Sequence, residues 1–294
     1  MSSNFKLSLF GKAYSGKKSI FKFLIRLNHK LSQKIAFDKK IAQNSINKEV
    51  VFTIDDYTAV NSFVPQSIDE EIIIENILQW IKKPNLMPDA IIYVVDLTDL
   101  RQNFLFLTQL TSFNIPIILL INISDIVESK SIDVKLFQKE LGVYRVILFS
   151  VSKKIGLNNL KAAIINLSKL VNINHTNMVF SKEYSDMIKP LTKKLEKIYN
   201  TSGIIIEQIA FSLLCSRNLL KCLKLNQKDL YEVVSIKTSI IDSIDQNMRS
   251  YLQTLESDLR YGFIDDILLK SNFKSEQYVK SKSLFDRINT LIKK

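Results

Sequence analysis

The chain has 294 residues, 46% of them hydrophobic, and a formal net charge of +12. This length suggests one large domain or two ordinary ones, and the apolar content argues against a disordered chain. No secretory signal is visible, and the longest apolar run, IPIILLINI, has about half the length that a bilayer requires. We therefore expect a soluble, cytoplasmic protein.

The few cysteine and histidine residues indicate no metal centre. Cys215 and Cys222 are seven residues apart in an apolar helical pattern, which favours buried thiols in a reducing compartment. His29 and His175 are isolated, and no Cys/His cluster has the spacing of metal ligands. We predict neither a zinc nor an iron site.

The positive charge is concentrated towards the two ends of the chain. Residues 1–48 carry eleven Lys or Arg against one acid, and residues 270–294 carry seven against two. A solvated lysine-rich surface is the plainest interpretation. The alternatives are phosphate ligands near the N-terminus and an anionic membrane surface near the C-terminus. A nucleic acid is disfavoured, because the basic stretches lack a recognisable reading motif.

The first half of the sequence alternates predicted strands with predicted helices. FKLSLF before Gly11 predicts a strand, and KSIFKFLIRLNHKL after it predicts an amphipathic helix. Further strands are predicted from the apolar runs VVFTI, AIIYVVD, IPIILLIN and YRVILFS, and helical patterns fill 68–82, 101–113, 132–141 and 157–170. Continuous apolar runs are typical of parallel strands buried on both faces. We therefore predict an α/β fold with three layers and a mostly parallel sheet.

The second half of the sequence is predicted to be helical. After about residue 172 the strand-like runs stop, and the apolar residues follow a period of 3.6 as far as residue 270. We predict an α/β domain over 1–171, an all-helical domain over 172–270 and a basic tail over 271–294.

The segment GKAYSGKKS, residues 11–19, resembles a phosphate-binding loop that departs from its pattern at one position. Gly11, Gly16 and Lys17 match the pattern G-x-x-x-x-G-K-[ST], and the loop lies between a predicted strand and a predicted helix. Lys18 stands where the hydroxyl that ligates Mg²⁺ belongs. An ammonium at that position removes a ligand and repels the ion, so we do not expect bound Mg²⁺.

A second motif, NISD, follows a predicted buried strand and contains Asn122 and Asp125. It matches the N-K-x-D type of guanine-binding motif, whose Asp accepts two hydrogen bonds from the base. Such a paired contact rejects adenine, because adenine would leave buried polar groups unpaired. An Asn and an Asp in an ordinary turn at the end of a strand are the alternative.

The sequence from Asp56 onwards resembles the GTPase domain of ferrous iron transport protein B. The resemblance rests on DYTAVNSFVPQSIDEEI, on PDAIIYVVDLTDLRQNFLFLTQLTSFNIPIILLINISD and on LGVYRVILFSVSKKIGLNNLKAAI. CSRNLLKCLKL, LESDLRYGFIDDIL and SLFDRINTLIKK resemble its helical domain and the linker to its membrane part. The resemblance implies a P-loop G-domain, then a helical domain, with guanine nucleotide as ligand.

The departures from the family pattern lie where hydrolysis would occur. Besides Lys18, Tyr14 replaces the potassium-binding Asn, and Ala36 stands where a Mg²⁺-ligating Thr belongs. The motif D-x-P-G appears as DYTA, with Asp56 kept and its Gly replaced by Ala59. In the base loop, Ser-Ala becomes Ser150 followed by Val. We assign no catalytic residue and no metal ligand, and the expected nucleotide contacts are Gly11, Gly16, Lys17, Lys18, Asp56, Asn122, Asp125 and Ser150.

Three functions are compatible with these residues. The first is the cytosolic regulatory part of a ferrous iron transporter, at the inner face of the cell membrane, with hydrolysis weak or lost. Its partners would be a membrane transport domain, in cis or in trans, and an anionic membrane surface contacted by the basic tail. The second is a stand-alone pseudo-GTPase that acts on a membrane partner in trans, and a working GTPase is the least favoured. Whether the natural gene continues past Lys294 into apolar spans would separate the first two.

Overall fold

A seven-stranded sheet forms the centre of the N-terminal part. The computed structural model describes residues 5–26, 32–35, 39–46, 50–123, 133–169 and 178–271. The strands are β1 (Phe5–Gly11), β2 (Ser32–Ile35), β3 (Lys39–Ile46), β4 (Val50–Tyr57), β5 (Ala90–Asp96), β6 (Ile117–Asn122) and β7 (Arg145–Phe149). Their order is β2-β3-β4-β1-β5-β6-β7. The five strands from β4 to β7 in this order pair in parallel, and β2 and β3 are antiparallel to their neighbours.

Helices cover both faces of this sheet. The helices of the N-terminal part are α1 (Lys17–Ile25), α2 (Ile68–Lys82), α3 (Leu100–Leu110), α4 (Val134–Glu140) and α5 (Leu157–Leu167). α1 and α5 pack on one face, around the buried side chains of Leu9, Ile92 and Leu120. α2, α3 and α4 pack on the other face. The predicted three-layer, mostly parallel α/β fold is therefore confirmed.

The central strands form because the side chains that they place on both faces of the sheet are apolar. All but the last residue of β5 and of β6 are buried, as the continuous runs AIIYVVD and IILLIN predict for strands covered on both faces. The hairpin strands β2 and β3 have no such run, and the sequence pattern predicts neither. β2 and β3 are held by their pairing to β4, a contact that local periodicity does not report.

The C-terminal part is helical in the residues that the structure describes after 178. Its helices are α6 (Lys182–Tyr199), α7 (Ile204–Cys215), α8 (Leu219–Cys222), α9 (Gln227–Ser243) and α10 (Gln246–Lys270). Their apolar sides enter the same core as the α2–α3–α4 face of the sheet. Cys215 and Cys222 are buried free thiols in this region. No helix of the described ranges has the length and apolarity needed to cross a membrane.

Several sequence-based predictions fall outside the described residues. The boundary at 171/172, the basic tail beyond Ser271, and the positions of Ala36 and Asp125 all lie there. The domain limits and these two residue assignments therefore stay predictions.

A half-buried lysine in the helical part leads to a prediction about pH. Lys237 on α9 donates from Nζ to the carbonyl oxygens of Leu213 and Ser216, both at 2.6 Å, at the C-terminal end of α7. Burial lowers the pKa of Lys237 from 10.5 to about 8. The unfolded chain therefore binds more protons than the folded chain between pH 8 and 10.5, so this lysine makes stability rise with pH across that window.

We expect the free energy of unfolding of the wild type, relative to Lys237→Met, to increase as the pH rises from 8 to 10.5. Urea denaturation at several pH values measures this difference. Lys193→Met on α6, an exposed lysine, is the control. A difference that stays constant with pH would contradict the assignment.

Candidate functional site

The predicted site residues that the structure describes lie at the carboxyl edge of the sheet. Gly11 ends β1, Asp56 is the penultimate residue of β4, and Asn122 ends β6. Ser150 directly follows β7. Because parallel strands end at the same edge of a sheet, residues far apart in the chain meet there, as expected for a ligand site of this fold.

The loop 12–15 is packed so closely that both of its flanking glycines, Gly11 and Gly16, are required. A Cβ on Gly16 would lie 2.6 Å from Nδ2 of Asn122, and a Cβ on Gly11 would lie 2.5 Å from the carbonyl oxygen of Val94. Gly16 also has a φ of +93°, which favours glycine. The Asn122 Nδ2 donates to the carbonyl oxygen of Ser15 at 3.1 Å, so Asn122 braces the phosphate loop.

The loop presents donors to a ligand at the start of α1. The first N–H groups of a helix have no intrahelical acceptor, and together with the helix dipole they attract anions. Gly16 precedes Lys17, the first residue of α1, and no side chain caps that end. The hydroxyl oxygen of Ser15 is buried and has no hydrogen-bond partner among the described residues. A cradle of this kind fits a phosphate group.

Lys17 is bound to the strand next to the loop. Its Nζ lies 2.6 Å from Oδ1 of Asp56 and also donates to the carbonyl oxygen of Tyr57. The side chains of Lys17 and Asp56 are only 11% and 8% exposed, so water screens this pair weakly. The charge of Lys17, the lysine that the loop motif assigns to phosphate binding, is therefore neutralised by the carboxylate of Asp56.

Lys18 and Tyr14 point outward. Lys18, on the first turn of α1, is exposed, and so is the hydroxyl-bearing Ser19 after it. Tyr14 is fully exposed and has a φ of 65°, an unfavourable conformation for an aromatic residue. At the sequence position of the Mg²⁺-ligating hydroxyl, the chain has a lysine whose side chain is exposed, and the Asp56 carboxylate already binds the Lys17 ammonium. This donor set does not fit Mg²⁺.

Ser150 is buried and holds the turn that follows β7. Its Oγ lies 3.0 Å from Oγ of Ser152 and accepts from the N–H of Lys153. A backbone bridge to Ile155 closes the turn. The structure shows this side chain stabilising its own loop; a contact with a base stays a prediction.

Lys12 is a feature of the loop that the sequence motif does not predict. Its Nζ donates to Oε1 of Gln102 at 2.8 Å and lies 3.8 Å from a carboxylate oxygen of Asp99. Burial lowers the pKa of Lys12, and the Asp99 carboxylate partly opposes that shift. Lys12 thus ties the phosphate loop to the start of α3. The extra lysine in GKAYSGKK is the only signal in the sequence, and it does not identify the partner.

The segment after Asp56 is held by the helical part of the chain. The N–H of Phe63 donates to Oε1 of Gln109 on α3, whose amide nitrogen donates to the Glu256 carboxylate on α10. Independently, Nδ2 of Asn218 donates to the carbonyl oxygen of Pro65 at 3.1 Å. The helical part thus touches the loop that leads away from the Lys17–Asp56 pair, a connection that the sequence does not reveal.

A mostly parallel sheet with a glycine-flanked phosphate loop after its first strand, braced by the Asn that ends β6, defines a P-loop domain of the G-domain type. The family model of ferrous iron transport protein B (FeoB) matches residues 5–164, more than half of the chain. The chain therefore belongs to the ferrous iron transport protein B family, as its sequence resemblance implies.

Solved structures of similar fold cover almost the whole chain. The mGMPPNP-bound NFeoB from S. thermophilus has 21% identity and a TM-score of 0.67, with 92% of this chain and 99% of that chain covered. NFeoB from S. thermophilus bound to GDP, AlF4⁻ and K⁺ has 21% identity and a TM-score of 0.66, covering 90% and 98%. The cytosolic domain of L. pneumophila FeoB has 22% identity and a TM-score of 0.66, also covering 90% and 98%. No curated protein matches the sequence.

Proposed function

We propose that this chain is the guanine-nucleotide-binding, regulatory part of a ferrous iron transporter, and that it binds nucleotide without Mg²⁺ and hydrolyses it weakly or not at all. The main observation in support of this proposal is the ion pair between Lys17 and Asp56 beside an intact phosphate loop. The loop can bind phosphate, but the groups that would hold a metal are a lysine and an engaged carboxylate.

Positive side chains supply the charge that a metal would otherwise supply. Lys17 lies at the loop, and Lys18 follows it on the first turn of α1. Two ammonium groups can balance phosphate charge in the bound state. They do not bridge two phosphate oxygens in fixed octahedral geometry, which is what stabilises the transition state of hydrolysis in P-loop NTPases. Binding without turnover follows from this substitution.

The relatives support guanine as the base. Structures of NFeoB from S. thermophilus contain GDP or mGMPPNP, and this chain keeps the Asn122 that braces the loop. In this proposal, Asp125 accepts hydrogen bonds from the guanine ring and Ser150 supports the base loop.

Titration calorimetry tests the binding mode. We expect GDP to bind the full chain equally well in EDTA and in excess Mg²⁺, and GTP turnover to be negligible in both buffers. Binding that collapses in EDTA would overturn metal independence, and no heat in either buffer would overturn nucleotide binding itself.

Base selectivity is a separate prediction. We expect GDP to bind much more tightly than ADP. Asp125→Asn should weaken GDP binding by about 2 kcal/mol, because donors of the guanine ring would be left without a hydrogen-bond acceptor. Asp133→Asn is the control: Asp133 caps α4 through the N–H of Leu136 and has no assigned contact with nucleotide. Equal affinity for ADP and GDP in the parent protein would contradict the assignment.

For location, the proposal is the cytoplasmic side of the cell membrane. The L. pneumophila relative is described as a cytosolic domain. The partner is a membrane transport domain, joined in cis or contacted in trans, and the basic tail adds affinity for the anionic membrane surface.

A further inference from the structure

The outer layer formed by α1 and α5 carries positive charge only. Residues 17–26 contain four Lys or Arg, residues 150–169 contain four Lys, and neither range contains an Asp or Glu. Lys17 is engaged by Asp56, which leaves seven cations on this side of the molecule. We call these seven residues the cationic face: Lys18, Lys22, Arg26, Lys153, Lys154, Lys161 and Lys169.

The α1 and α5 parts of the cationic face adjoin each other. α1 and α5 pack on the same side of the sheet, and Nζ of Lys161 on α5 lies 5.7 Å from the ring centroid of Phe23 on α1. Residues four apart share one side of a helix, so Lys18, Lys22 and Arg26 form a stripe along α1. All three are exposed, as is Lys154 in the loop before α5.

Within the described ranges, four of these seven cations are not balanced by a carboxylate. There, Lys18, Lys22, Arg26 and Lys154 make no ion pair, whereas the lysines of the helical part commonly do. Examples are Lys194 with Asp229 and Glu232, Lys224 with Glu75, and Lys270 with Glu140. The neighbouring strands β2 and β3 contain no acid. The positive potential of these four unpaired side chains lies on one side of the molecule and is suited to an extended anionic partner.

We propose that the cationic face docks on an anionic lipid surface. Six of its seven cations are lysines, whose compact, hydrated ammonium groups on flexible stems attract anionic headgroups without a fixed geometry. Ordered recognition of nucleic-acid phosphates and bases instead favours the arginine fork. Two exposed apolar side chains, Tyr14 and Ile155, lie in the loops after β1 and β7, and Ile155 directly follows Lys153 and Lys154 of the face. Those loops share the carboxyl edge of the sheet, and apolar or aromatic tips among lysines are typical of surfaces that rest in the lipid headgroup region.

Cosedimentation of the full chain with phosphatidylcholine vesicles that contain about a third phosphatidylserine tests this proposal. The variant is Lys22→Gln/Arg26→Gln/Lys154→Asn; asparagine suits position 154 because its φ is 55°. We expect the variant to bind vesicles on the order of 10- to 100-fold more weakly than wild type, because each basic residue near an anionic surface adds a similar amount to the binding free energy. High salt should abolish the difference.

The matched control removes the same charge from α6 in the helical part. Lys182, Lys193 and Lys197 are exposed there, among the acids of that helix, so the control is Lys182→Gln/Lys193→Gln/Lys197→Gln. The basic tail is identical in all three proteins, and thermal melts establish that each is folded. We expect the control to bind vesicles within about threefold of wild type.

Equal losses in the two triple variants would show that net charge alone acts, and would overturn the proposal. Absence of vesicle binding by the wild type would also overturn it. If the variant kept its vesicle binding but lost binding to a single-stranded oligonucleotide, the face would be a nucleic-acid surface instead. None of these outcomes depends on nucleotide binding, so the proposed function is tested separately.

Discussion

Glu256→Gln is expected to lower the free energy of unfolding by about 3–5 kcal/mol, the usual loss when one partner of a buried ion pair is removed. Glu256 and Arg260 are each 1% exposed, and Nε of Arg260 donates to Oε1 of Glu256. The substitution leaves the guanidinium charge buried. Urea denaturation followed by circular dichroism measures the loss.

Glutamine cannot replace this carboxylate, because every group around it is a donor. Nε2 of Gln109 lies within 3.0 Å of both carboxylate oxygens, and Nε2 of Gln208 lies 2.9 Å from Oε1. An amide would place its own N–H groups against these donors. Gln109 cannot simply rotate its amide, because its oxygen accepts from the N–H of Phe63.

Asp266→Asn is the control for this prediction. It removes one negative charge from the same helix at an exposed position, and we expect a change within about 0.5 kcal/mol. A loss below about 1 kcal/mol for Glu256→Gln would mean that water reaches the Arg260 charge and that the network contributes little.

The second large effect concerns the phosphate loop. We expect Lys17→Met to weaken GDP binding at least about 100-fold, since it removes the cation that reaches the phosphates. Lys22→Met, one turn further along α1 at an exposed position, should change GDP affinity little. Calorimetry with GDP in EDTA compares the two variants, and thermal melts check that Lys17→Met is folded.

Asp56→Asn distinguishes a metal-independent site from a metal-dependent one. In the structure the Asp56 carboxylate competes with phosphate for the Lys17 ammonium. Its removal should therefore strengthen GDP binding in EDTA, by about tenfold for one charge-assisted contact. A site that needs Asp56 to help hold Mg²⁺ would instead lose affinity in excess Mg²⁺. Weaker binding of Asp56→Asn in both buffers would contradict the competition that we infer from the ion pair.

The local pattern of residues determined the parallel part of the fold. Apolar runs such as AIIYVVD predict strands that are buried on both faces, and β5 and β6 form where those runs lie. The spacing of Gly11, Gly16 and Lys17 likewise predicts the loop between β1 and α1. These features depend on neighbouring residues and on the chain's own periodicity, which the sequence displays directly.

Only the tertiary structure decided which distant groups meet. Lys17 pairs with Asp56 across 39 residues, Gln109 reaches Glu256 across 147, and Asn218 reaches Pro65 across 153. The hairpin strands β2 and β3, the common core of sheet and helices, and the acid-free layer of α1 and α5 emerge in the same way. A hydrogen bond or an ion pair forms only where packing brings its two groups together out of water, and no local pattern encodes that distance.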